Sequence, residues 1–88
     1  MTGAISAMRN LGKVTQAMLI EVGIPDAEAL RAVGAVGAYL RLRFVFGNRV
    51  SLNALYAMDA ALTGSDWREV SPERKAWLRA AAELKPGD

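Results

Sequence analysis

Apolar residues recur along most of this chain at the three- and four-residue spacing of amphipathic helices. The order of punctuating residues divides that pattern into segments. Ile5 and Met8 place a short first helix over residues 4–9, stopped at Asn10. A second helix is expected from Lys13 to Val22, with Val14, Ala17, Met18 and Glu21 on a common stripe and Gly23 as a left-handed end. Asp26 is an N-cap for a third helix, Ala27 to Val33, with Glu28 in its first turn. Gly34 interrupts, and a fourth helix continues from Ala35 to about Phe46, with Val36, Leu40 and Phe44 as its inner stripe and Tyr39 beside it. Gly37 inside that helix costs roughly 1 kcal/mol against alanine, which suggests a close approach between helices. Gly47-Asn48 is a turn. A β-hairpin across it is rejected, because the residues after Ser51 keep helical spacing. The fifth helix spans Leu52 to Thr63, capped by Ser51 and Gly64, with Leu52, Leu55, Tyr56 and Leu62 inward and Met58 near the edge. A turn at residues 65–68 returns Trp67 to the core. Ser71-Pro72-Glu73 then opens a last helix that runs to about Leu84 on a stripe of Ala76, Trp77, Ala80 and Leu84. Residues 1–7 and 85–88 are expected to fray.

The pattern therefore predicts an all-α fold, one compact bundle of about five main short helices in a single domain over 1–88. At 88 residues the chain can bury one core and little more. It has no run of about 18 apolar residues to cross a bilayer and no secretory leader, so a cytoplasmic location is expected. Cysteine and histidine are both absent. That removes disulfides, thiolate metal sites and the commonest general base. The carboxylates have neither metal-ligand nor acid–base spacing, so no enzyme activity, metal or cofactor is expected.

Candidate chemistry concentrates in Asn10-Leu11-Gly12-Lys13-Val14-Thr15. This stretch reads as a hairpin feeding a helix, with Leu11 as an apolar plug and Gly12 in a backbone conformation that a side chain would oppose. The free amides of the following helical turn, with Lys13 beside them, attract an anion. The arrangement is that of a helix-hairpin-helix, with Asn10 and Gln16 standing where its consensus prefers glycine and alanine. Net charge is +2, and the excess lies in residues 1–50, which hold six basic and three acidic groups. Arg9, Arg41 and Arg43 extend the candidate surface, and DNA bound through its backbone, weakly and without sequence preference, is the partner this implies. The other reading is a structural turn in a protein-interaction or self-associating module, since 52% hydrophobic residues exceed what so small a core hides. Tyr39, Tyr56, Trp67 and Trp77 read as core, each tyrosine hydroxyl with a polar partner. Asn53 reads as a structural hydrogen-bonding group.

Several pieces, in order, resemble one family. They are Met8-Arg9-Asn10-Leu11-Gly12, Gly23-Ile24, Leu30-Arg31-Ala32-Val33-Gly34-Ala35-Val36, Ala38-Tyr39-Leu40-Arg41-Leu42, Val50-Ser51-Leu52-Asn53-Ala54-Leu55-Tyr56-Ala57-Met58 and Trp67-Arg68. Over about residues 8–84 the chain resembles the C-terminal domain of the TfoX/Sxy competence regulators. The resemblance implies a helix-hairpin-helix or SAM-like all-α fold and a regulatory, non-enzymatic role. Full-length members carry a separate N-terminal domain and act as positive regulators of DNA-uptake genes. The family assigns no catalytic residues.

Overall fold

The computed structural model describes residues 11–83. The expected helix at 4–9, Arg9, Asn10, the helix end at Leu84 and the tails 1–7 and 85–88 lie outside them. Four α-helices follow in order: α1 Lys13–Glu21, α2 Ala27–Phe46, α3 Leu52–Thr63 and α4 Pro72–Glu83, with 3-10 turns at Gly47–Arg49 and Trp67–Glu69. No strand occurs among the described residues. The all-α expectation holds.

Helix ends form where capping chemistry places them. The carboxylate of Asp26 accepts from the Ala29 amide at 2.8 Å, and the Ser71 hydroxyl accepts from the Arg74 amide at 3.0 Å. At the end of α1 the Ile24 amide donates to the Leu19 carbonyl and the Gly23 amide to Ile20, around Gly23 at φ 85°. This is a Schellman closure, and its apolar pair, Leu19 and Ile24, is fully buried. Gly64 closes α3 in the same way, with Ser65 bonding back to Ala60. Ser51 caps α3 by position but makes no side-chain cap bond.

α2 is the hub on which α1, α3 and α4 all pack, and α3 also packs on α4. The interruption expected at Gly34 is present: α2 is two helical arms, 27–33 and 35–46, joined at a kink. Gly34 sits at the bend at φ 84° and ψ 162°, a region open only to glycine. The close approach expected at Gly37 is found across this kink, between the two arms. A Cβ there would stand 2.9 Å from Val33 Cγ1 of the preceding arm.

The inner stripes differ in part from those expected. In α1, Thr15, Met18, Leu19 and Val22 turn inward, while Val14 is 76% exposed and Ala17 and Glu21 face outward. In α2 the buried stripe is Ala35, Ala38, Tyr39 and Leu42; Val36 and Leu40 are half-buried and pack against the core, and only Phe44 of the expected stripe faces water. In α3 Met58 is central and Leu52 more than a third exposed. In α4 Leu78 is the buried anchor, and Ala76, Trp77 and Ala80 are exposed. Trp67 too remains more than a third exposed. The physical reason is common to all four helices. Alanine and single large residues lie on several faces, so periodicity alone leaves adjacent stripes nearly equal, and packing against α2 selects one.

Candidate functional site

The start of α1 carries the anion-binding expectation. Leu11 is buried and anchors the chain there, as a plug should. Gly12 is the N-cap, at φ −111° and ψ −171°. That is extended backbone open to any residue, and a Cβ on Gly12 would meet nothing within 4 Å. The expected glycine-only conformation is therefore corrected. Gly12 nevertheless has a chemical consequence: it supplies no side-chain acceptor for the first turn. The first intrahelical amide bond is Gln16 to the Gly12 carbonyl, at 3.0 Å. The amides of Lys13, Val14 and Thr15 precede it and have no carbonyl four residues back within the helix. Gly12, Lys13 and Val14 are exposed, Thr15 is half-buried, and no acidic residue stands in the first turn.

Arg41 and Arg43 do not join this end. The Arg41 guanidinium donates to the Val22 carbonyl at 3.4 Å, at the opposite end of α1. Nine residues of helix separate the two ends, about 13 Å at 1.5 Å per residue. Arg41 there offsets the negative pole of the α1 dipole. Arg43 donates to the Tyr39 hydroxyl at 2.9 Å and lies 5.8 Å from that ring's centroid. Of the expected site residues, Leu11, Gly12, Lys13, Val14 and Thr15 are thus brought together and the two arginines lie elsewhere.

A second surface lies, apart from Arg41, outside the expected site residues. Phe44 is 91% exposed and Val45 is 55% exposed, near the end of α2. Together with half-buried Leu40 and Val22 they line an open cleft, and Glu21 and Arg41 complete its lining. The signal for it was present in Phe44-Val45-Phe46. Three consecutive apolar residues on one helix span about 200° and cannot all face one core.

The remaining aromatic and charged groups are tied into the fold. The Tyr56 hydroxyl accepts from Arg79 at 3.0 Å, and Lys75 lies 5.3 Å from its ring centroid. Asp59 is buried and accepts two bonds from the Arg74 guanidinium, at 2.8 and 3.1 Å. That bonding pushes the Arg74 guanidinium above the ordinary arginine value, against the opposing effect of its partial burial. Arg74 also covers Trp77, at 4.5 Å from the ring centroid. Asn53 is exposed. Among the described residues no group of three or more His, Cys, Asp or Glu could hold a metal ion, and no helix is long and apolar enough to cross a membrane.

The family model of the TfoX C-terminal domain matches residues 1–82. Two solved structures from Listeria monocytogenes share the fold. One, described as an uncharacterized protein, aligns with a TM-score of 0.82 and 30% identity over 90% of this chain and 89% of that one. The other, described as a protein of unknown function, aligns with a TM-score of 0.81 and 31% identity over 89% of this chain and 95% of that one. No curated protein matches.

Proposed function

The chain belongs to the TfoX C-terminal domain family, and from that premise we propose that it is a non-enzymatic regulatory module that works by protein contact through the Phe44 face. The observation that carries this reading is Phe44 itself. A phenylalanine 91% in water, beside Val45 and an apolar-lined cleft, gives up favourable burial for nothing unless something covers it. The pairing of an apolar centre with a charged rim, Glu21 and Arg41, is the anatomy of a protein interface. In this reading the module is cytoplasmic, takes no cofactor, and serves a competence-type regulator as a docking part. Affinity capture from nuclease-treated native lysate tests it, with wild type and Phe44→Glu side by side. The expected result is a partner band retained by wild type, insensitive to nuclease and lost with Phe44→Glu. Equal capture by both proteins rules this face out.

The start of α1 favours a second reading, weak contact with a nucleic-acid backbone. Its support is the combination of three amides with no side-chain cap from Gly12, an exposed Lys13 and a first turn without an acid. Such contact reads no bases and fades with salt. Titration of labelled duplex at about 10 mM salt, where screening is weak, is expected to show binding that Lys13→Glu removes equally for every sequence. No binding under that condition eliminates this reading.

A further inference from the structure

We propose that the occupant of the Phe44 cleft is a second copy of this chain, paired with it across a two-fold axis; this rests on the protein-contact reading above. A symmetric pair brings one patch against the same patch, so the patch must be complementary to itself. The cleft meets that requirement in shape and in charge. In shape, Phe44 and Val45 project from α2 beside the recess that Leu40 and Val22 line, so knob and hole lie on one surface. In charge, the lining carries one carboxylate, Glu21, and one guanidinium, Arg41. A two-fold axis that passes between them sets Glu21 of each copy against Arg41 of the other.

Both groups are available for that role. Glu21 is exposed at the end of α1 and forms no ion pair among the described residues. Arg41 is exposed and gives a single long bond, 3.4 Å, to its own Val22 carbonyl, which leaves most of its five N–H donors for a facing carboxylate. An acidic or a basic partner would meet one wrong charge at this rim; a second copy on that axis meets none. Self-pairing also buries the most exposed aromatic of the described residues twice over, once from each side.

The test is the mass of the full chain in solution, by sedimentation equilibrium or light scattering, from about 10 to about 500 µM. Wild type is expected to pass from monomer toward dimer within that range. Phe44→Glu is expected to weaken pairing by at least about tenfold, because each substitution counts twice in a symmetric interface. Glu21→Arg and Arg41→Glu each place like charges together and are expected to weaken it by about fivefold or more. The double variant, Glu21→Arg with Arg41→Glu, restores opposite charges across the axis and is expected to recover wild-type pairing to within about twofold. All three positions of change are on the surface, and an unchanged circular dichroism spectrum verifies folding. A wild type that stays monomeric at the highest concentration overturns the proposal, as does a Phe44→Glu dimer of wild-type strength. A double variant no stronger than the singles overturns it as well. A monomeric wild type that still captures a partner through Phe44 sinks self-pairing alone, whereas loss of both results sinks the protein-contact reading with it.

Discussion

At the scale of single residues, the buried carboxylate of Asp59 sets the sharpest energetic demand in the molecule. Its side chain is 9% exposed, whereas that of its partner Arg74 is 46% exposed. The two ends of the pair are therefore not equivalent. Removing the guanidinium strands a carboxylate among apolar neighbours; removing the carboxylate leaves an arginine that water can serve. Arg74→Ala is expected to destabilise by about 1–3 kcal/mol. Asp59→Asn, which keeps an acceptor and loses the charge, is expected to cost less. Urea unfolding midpoints check the order. The arginine end adds no pH dependence near neutrality. Its value in the folded chain is raised, so its stabilisation is complete below the ordinary arginine value and is lost only as pH climbs through the higher one. The difference between wild type and Arg74→Ala, measured from about pH 6 to about pH 9, is expected to stay flat with respect to that group. The exposed Asp66–Arg68 pair, at 3.0 Å, contributes little by comparison. In the sequence Asp59 is a lone acid in the apolar run of α3. Arg74 was not visible as its partner, because fifteen residues and a turn separate them.

At the scale of elements, glycine has opposite meanings at two positions. Gly34 sits in a glycine-only region at the α2 bend, and Gly34→Ala is expected to cost about 2 kcal/mol, read from thermal or urea unfolding. Gly12 sits in ordinary extended backbone with open space around it. Gly12→Ser is expected to raise stability by a few tenths of a kcal/mol, because the hydroxyl caps an amide that Gly12 leaves uncapped. The same hydroxyl competes with any phosphate for that amide. A variant that gains stability while losing affinity for duplex DNA is therefore the expected signature of an anion site at this helix start. The starts of α2 and α4 and the ends of α1 and α3 were legible, since Asp26, Ser71, Gly23 and Gly64 act within a few residues of themselves. Which face turns inward was not, because Ala17, Ala76 and Ala80 pack about as well out as in.

At the scale of the whole molecule, a small domain has only a handful of kcal/mol to lose. Leu55, fully buried in α3, belongs to the single core, and Leu55→Ala is expected to cost about 2–5 kcal/mol and leave a substantial unfolded fraction. Phe44 is larger, yet Phe44→Ser is expected to fall within about 0.5 kcal/mol of wild type in dilute solution. Denaturation curves for the two variants, run below the concentration at which copies pair, separate core from interface directly. Family membership, helical class, breaks and caps all depend on residue order or on contacts a few residues long, and the chain alone determined them. Tertiary structure decided that Phe44 faces water, that Arg41 serves the far end of α1, and that Asp59 meets Arg74. Each of these depends on how α2 bends at Gly34 and which stripe of each helix it accepts. That choice is made by the fit of whole surfaces, and a spacing rule that ranks neighbouring stripes nearly equal cannot make it.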